Sequence, residues 1–256
     1  MSAPTSAPPV EARPRLAALP GVLAASAVLL QVAYPLVSGT ARDRLTVVTV
    51  LVFAAASVSH AAVHRGVRWA AAYTALTTSI GLVAESVGTR TGFPFGAYDY
   101  AGSLGPKLID VPVVIPLAWA MFAYPCLLVG RRLARTRLGA TAVGAWALAS
   151  WDLFLDPQMV EAGHWTWQDV RLALPTAPEI PVSNYLGWVL VATVMLGVLQ
   201  VLPRRDADDR VPAALFLWTF ASSVLAFAVF FGRPGTALVG GVAMGIVAVP
   251  YARSLR

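Results

Sequence analysis

VPVVIPLAWAMFAYPCLLVG, residues 111–130, is twenty residues without a charge, preceded by Asp110 and closed by Arg131 and Arg132. At 1.5 Å of rise per residue, a helix of this length crosses roughly 30 Å of hydrocarbon. Runs of the same kind recur on both sides, at about 16–38, 44–63, 68–87, 138–156, 183–202, 211–231 and 235–252. With 110–130 they make eight candidate spans. The expected fold is therefore all-α: a polytopic integral membrane helical bundle. Composition points the same way, with 57% hydrophobic and only 12% charged residues among 256, and a mean hydropathy of +0.68. Soluble chains carry about 25% charged residues.

Residues 1–15 are rich in Ala, Pro and Ser and have too little to bury, so they read as a disordered cytoplasmic tail. The first apolar run, Leu16 to Val37, is too long for the h-region of a signal peptide and reads as a retained helix. Two connections are long, 88–109 and 157–182; the rest are mostly tight turns. Gly241 and Gly245 form a G-x-x-x-G pair, a weak signal of close helix packing. No internal repeat is evident, and residues 16–256 are taken as one transmembrane domain.

Charge orients the bundle. With the N-terminus in the cytoplasm, inner segments hold thirteen of the 19 Lys and Arg residues, among them Arg131, Arg132, Arg135, Arg137, Arg204 and Arg205. Positive-inside asymmetry then places both termini in the cytoplasm. Nine of the 13 acidic residues fall on the outer rim. The net charge of +6 is scattered between apolar runs and does not mark a nucleic-acid binder.

Several chemistries lack their residues. The lone Cys126 excludes a disulfide framework and thiolate metal sites. Three histidines are too few for a membrane di-iron oxygenase. No dinucleotide fingerprint or P-loop is present, and no cofactor is expected. His60 and His64 have two-ligand spacing without a third ligand, and read as a solvated helix end. Asp206, Asp208 and Asp209 lie in an Arg-rich turn and read as a solvated loop, a poor substitute for the paired Asp-rich motifs of a prenyltransferase.

The informative residues are carboxyls inside apolar runs, because a charge at bilayer depth costs at least about 2.5–3.5 kcal/mol. Glu85 lies near the outer end of the third run. Asp152 and Asp156, four residues apart in the fifth, share one helix face. Two like charges so close disfavour joint ionisation, leaving one carboxyl protonated, as a catalyst that protonates an unactivated double bond requires. The two long loops add aromatic clusters: Tyr98-Asp99-Tyr100 in the first, and His164-Trp165-Thr166-Trp167 in the second, followed by Asn184 and Trp188. Trp69 and Trp218 need no more than an interfacial aromatic belt. Aromatic faces stabilise cations by up to about 2 kcal/mol when desolvated. Acids and aromatics beside an apolar bundle suit carbocation chemistry on a lipid-soluble alkene.

The run Glu85-Ser86, then Gly92-Phe93-Pro94-Phe95-Gly96-Ala97-Tyr98-Asp99-Tyr100, Asp110-Val111-Pro112 and Trp119 resembles the membrane carotenoid-biosynthesis family that includes the carotenoid 1,2-hydratases. Trp151-Asp152 to Asp156-Pro157, Gly163 to Trp167 and Ile180 to Trp188 fit it too, so the resemblance covers roughly residues 80–190. It implies a cofactor-independent hydro-lyase that adds water across the terminal C1–C2 double bond of an acyclic carotenoid. The expected ligand is a lipid-soluble polyene that enters sideways from membrane lipid. Other enzymes of the carotenoid pathway become candidate partners, and the plasma membrane of a prokaryote the expected location.

On that reading Asp152, or Glu85 as second choice, protonates C2. Asp156 or Asp110 orients the water, with Asn184 holding it by a hydrogen bond. Tyr98, Trp165 and Trp167 face the cation; Asp99, Tyr100, Trp119, Trp151, His164 and Trp188 complete the expected substrate site near the outer membrane boundary. A cyclase would form the same cation and quench it by ring closure. A non-enzymatic carrier for a lipid or small solute would use the acidic rim as a vestibule.

Overall fold

The computed structural model describes residues 14–256. Of the expected tail, residues 1–13 lie outside the described residues, while Pro14 and Arg15 already belong to a helix. Eight long helices follow: α1 (Pro14–Ala33), α2 (Gly39–Arg65), α3 (Val67–Thr91), α4 (Val114–Leu133), α5 (Arg137–Glu161), α6 (Val182–Leu199), α7 (Arg210–Leu225) and α8 (Pro234–Ser254). Seven are long and apolar enough to cross a membrane; α3 is the exception. It carries Arg68, Glu85 and Arg90, and a run of threonines whose hydroxyls donate back to their own helix, as Thr74 does to the Ala70 carbonyl and Thr78 to that of Thr74. Back-bonding satisfies those hydroxyls without a neighbouring helix.

The uncharged stretch 111–130 supplies the central helix. Residues of α4 are 78% buried across the span, against 22% in α1, and α4 packs on α2, α3, α5, α6, α7 and α8. Its contact with α5 is backbone-close. A Cβ on Gly130 would stand 2.2 Å from the Ala140 carbonyl oxygen and 3.0 Å from the Gly144 amide. The G-x-x-x-G pair plays a looser part. Gly241 and Gly245 face the Val224 and Phe220 side chains at 3.3 and 3.6 Å.

At one end of the bundle the two long connections form three antiparallel ribbons. β1 (Tyr98–Tyr100) pairs with β4 (Trp165–Trp167), β2 (Lys107–Leu108) with β3 (Val111–Pro112), and β5 (Ala173–Leu174) with β6 (Ala177–Pro181). Gly92, with φ +74°, ends α3 in the left-handed conformation that turns the chain into the first of these loops. The fifth helix does not stop at Asp156-Pro157 but runs on to Glu161. At the far end of α7 the chain widens into a π turn, Ala226–Phe230, closed by the Phe231 amide donating to the Ala226 carbonyl at 2.9 Å.

The opposite end departs from expectation. His60 is buried rather than solvated. Its Nε2 meets the Asp208 carbonyl at 2.9 Å, so that nitrogen carries the hydrogen, and its Nδ1 is left to accept from the Tyr124 hydroxyl at 2.9 Å. Arg65, also buried, donates to the Tyr124 hydroxyl and to Asp209, each at 2.6 Å. The acidic turn is therefore tied to the bundle through Asp209 and the Asp208 carbonyl. Trp69 is buried as well, with its indole N–H donating to the Pro203 carbonyl at 3.0 Å.

Gly130→Ala should lower stability by about 1–3 kcal/mol through overpacking at the α4–α5 crossing. Thermal unfolding in detergent would read it. Gly245→Ala, with 3.6 Å of clearance, should leave the midpoint unchanged.

Candidate active site

Strand register builds one wall of the site. Tyr98 pairs with Trp167, Asp99 with Thr166 and Tyr100 with Trp165. Alternate residues of a strand point to opposite faces, and cross-strand partners share a face. Y-x-Y and W-x-W in this register therefore turn four aromatic rings toward the bundle. They turn Asp99 away from it. Asp99 is exposed and accepts from the Gln168 amide at 2.6 Å, which corrects its expected place among the substrate-binding residues.

Glu85, on α3, lies beneath these rings. Its Oε2 accepts from the Tyr98 hydroxyl at 2.5 Å and the Tyr100 hydroxyl at 2.7 Å, and its Oε1 from the Trp119 indole at 2.9 Å. Three donors thus converge on this one carboxyl group. Burial first, and then the adjacent Glu85 charge, push the phenols of Tyr98 and Tyr100 above their ordinary range, so both keep the hydrogens they donate. Two glycines let the rings come this close. A Cβ on Gly88 would stand 2.9 Å from the Phe95 ring and 3.0 Å from the Tyr98 hydroxyl; one on Gly187 would stand 2.7 Å from Phe95.

The second carboxyl group is a pair on α5. Asn184, at the start of α6, donates from its amide nitrogen to Asp152 Oδ2 at 2.8 Å and to Asp156. Trp165 donates to Asp156 Oδ1 at 3.2 Å. All three residues of this amide-bridged unit are buried. Asp152 Oδ1 has no partner among the described residues.

Glu85, Asp156 and Asn184 line one cavity of about 460 Å³, together with Tyr98, Tyr100, Trp119, Trp151, Trp165, Trp167 and Trp188. Trp119 and Trp188 stack with ring centres 4.0 Å apart, and Trp151 meets Trp188 edge-on at 6.2 Å. The cavity continues between α1, α2 and α7 as far as Leu36, Leu225 and Phe230, which are exposed on the apolar flank of the bundle. The site thus opens sideways. Its wall includes Trp218, which donates to Gln31 at 2.7 Å and is more than a belt residue.

Two expected members stand apart. Asp110 is 69% exposed and pairs with Arg90 at 3.1 Å. Ile109 and Asp110, with φ of +52° and +68°, are the central residues of the two-residue turn between β2 and β3; Asp tolerates that conformation, and this accounts for its position. His164 is buried but does not line the cavity. Burial lowers its imidazole below the ordinary range, Nδ1 pairs with the Ser103 hydroxyl at 2.7 Å, and Nε2 stands 3.9 Å from Asp43. It fastens the first loop to the second: its carbonyl accepts from the Ala101 amide at 2.9 Å. Asp152 also stays out of the cavity wall and sits behind Asp156. The α1, α2 and α7 contribution escaped the sequence reading, because Gln31, Tyr34 and Thr49 are isolated polar residues in apolar runs.

A family model described as a carotenoid biosynthesis protein matches residues 45–249, from α2 to α8. The chain belongs to that family. It is an integral membrane protein of carotenoid biosynthesis, and the family match extends well beyond the 80–190 stretch that carries the motifs. A segment of 116 residues is 36% identical to the bisanhydrobacterioruberin hydratase of Haloarcula japonica. That segment is 43% of this chain and 38% of the relative. No solved structure matches.

Tyr98→Phe keeps the ring and removes one of the donors to Glu85. A lost hydrogen bond to a charged acceptor costs about 1.5–3 kcal/mol, which should appear as a lower unfolding midpoint. Gln168→Ala, across the ribbon on its exposed face, should leave the midpoint where it was.

Proposed function

We propose that this protein is a carotenoid hydratase that adds water to the terminal C1–C2 double bond of an acyclic polyene. The observation that carries the reading is the convergence of two separately held carboxyl groups, Glu85 and Asp156, on one aromatic cavity that opens toward the apolar flank of the bundle. The family and the hydratase relative support the substrate class. With both termini cytoplasmic, in the plasma membrane of a prokaryote, the ribbons and acids lie on the outer side.

The polyene enters end-first through the side opening. The Asp152–Asp156 pair, bridged by Asn184, holds one proton, and Asp156, the member at the cavity wall, delivers it to C2. The π electrons of the double bond form the new C2–H bond, leaving a tertiary cation at C1. Trp119, Trp165 and Trp188 face that charge with their rings, and the Glu85 carboxylate stabilises it electrostatically. Water attacks C1, its oxygen lone pair forming the C–O bond. Glu85 takes a proton from that water, and onward transfer to Asp156 restores the starting state. The sum is alkene plus water to tertiary alcohol, with no change of oxidation state overall. Relative to the sequence reading, Asp156 takes the donor position from Asp152, and Asp110 has no part.

Expression of the chain in a bacterium that makes lycopene should yield a pigment heavier by one water, formed equally without oxygen. Glu85→Gln and Asp156→Asn should each reduce its formation about 100-fold or more, with Asp152→Asn acting in the same direction. A new pigment of unchanged mass would mean ring closure instead. Full conversion by both Glu85→Gln and Asp156→Asn would refute the assignment of the acids.

A further inference from the structure

The aspartates of α5 also have surroundings outside the polyene cavity. Asp152 is fully buried and does not line the cavity; its Oδ2 accepts from Asn184, and its Oδ1 has no partner among the described residues. Tyr185, the residue after Asn184 on α6, does not line the cavity either. It is half-buried, but its hydroxyl oxygen is out of solvent and likewise has no partner among the described residues. The charges that act on that hydroxyl are those of Asp152 and Asp156, followed by Glu179 and Arg233. Arg233, just before α8, pairs with Glu179 of β6, stands 3.9 Å from Glu161 and donates to the Pro157 carbonyl at 3.3 Å. It thus meets α5 at the residue after Asp156 and again at the last residue of the helix. The Glu161 side chain is 53% exposed, so this cluster reaches solvent at the ribbon end.

Buried polar atoms in folded proteins bond to protein or to ordered water. An acceptor, Asp152 Oδ1, and a hydroxyl that both donates and accepts, Tyr185 Oη, supply the two polar partners that one buried water needs. The proposed reaction returns a proton to Asp156 in each cycle, yet the pair must first acquire that proton, and acquire it again whenever one is lost. The side opening cannot provide it, because it faces lipid and is filled by the polyene during reaction. We propose that Asp152 Oδ1 and Tyr185 Oη bind a water molecule, and that this water and the Tyr185 hydroxyl form the route by which the aspartate pair exchanges protons with solvent at the Glu179–Arg233 rim. A hydrogen of the water passes to Asp152, the phenol hydrogen to the water oxygen, and a proton from solvent to the phenol oxygen. The water and the phenol each break one O–H bond and form another. The pair gains one proton, the solvent loses one, and no group changes oxidation state. Tyr185 acts on the water and does not touch the polyene. The inference rests on the proposed function for the role of the pair.

Infrared difference spectroscopy of the full chain in lipid nanodiscs reads this exchange without relying on turnover. The band of a protonated carboxyl, assigned to the pair by its loss in Asp152→Asn/Asp156→Asn, moves when light water is replaced by heavy water. The cavity is filled beforehand with perhydrolycopene, a saturated hydrocarbon that has no double bond to protonate. In the unsubstituted protein the shift should be as fast with this plug as without it. In Tyr185→Phe, which keeps the ring and removes the hydroxyl, it should be about 100-fold slower, the lower end of what a positioned proton donor contributes. Thr193→Val, further along α6, where the hydroxyl already donates to the Val189 carbonyl at 2.7 Å, should leave the rate unchanged. Exchange in Tyr185→Phe as fast as in the unsubstituted protein would overturn the relay and leave the proposed reaction standing, as would exchange that the plug alone arrests. Tyr185-dependent exchange without hydration in the lycopene strain would refute the reaction and leave the relay standing. Absence of any protonated band from the pair would overturn both.

Discussion

Three carboxyl groups inside an apolar bundle must find hydrogen-bond donors, and most of the architecture at the ribbon end follows from that requirement. Among the described residues, Glu85, Asp152 and Asp156 enter no ion pair. Neutral donors serve them instead: two phenols and an indole for Glu85, one amide and one indole for the aspartates. An unsatisfied buried polar group costs about 1–3 kcal/mol, and more when charged. The donors come from elements other than the helices that carry the acids. The β1–β4 ribbon brings the tyrosines and Trp165, α4 brings Trp119, and α6 brings Asn184. The loops are long because they must reach back into the bundle.

The other end solves a similar problem with cations. Arg65 is held between Tyr124 and Asp209, and Arg131 donates to the Leu199 and Leu202 carbonyls at 3.0 and 2.8 Å, closing the C-terminus of α6. A carboxylate locked to a guanidinium is a poor proton carrier, because the pairing opposes protonation. Neutral donors impose no such opposition on Glu85, Asp152 and Asp156, as the proposed proton transfers would require. The three acids buried at the ribbon end differ from Asp209 in that no cation holds them among the described residues.

The all-α membrane architecture was legible because it depends on one-dimensional signals: apolar length and charge between the runs. Glu85, Asp152 and Asp156 were legible for the same reason, as charges that interrupt apolar runs. Asp99 and Asp110 were misplaced because an acid next to an aromatic motif does not reveal which way it points. Strand register turns Asp99 outward, and a two-residue turn places Asp110 in solvent. Y-x-Y and W-x-W already carried the period that decides this for Asp99, but only the pairing of two distant loops shows that the motifs meet. His60 was misread from its position at a helix end, where nothing in the sequence shows that Asp208, nearly 150 residues on, comes back to cover it.

Hydration and ring closure diverge only after the cation has formed, so the choice is made by what stands beside C1. Ring closure needs the polyene to fold back and present an internal double bond, which calls for an apolar enclosure shaped around a compact coil. Here Glu85 occupies the wall as an acceptor already oriented by three donors, and in the proposed reaction it would hold water by accepting its hydrogen. The cavity is also drawn out toward Leu36 and Phe230 rather than closed on itself, so an extended chain fills it better than a folded one. The aromatic rings stabilise the cation without consuming it. In the proposed hydration, a water held by that carboxylate would quench it.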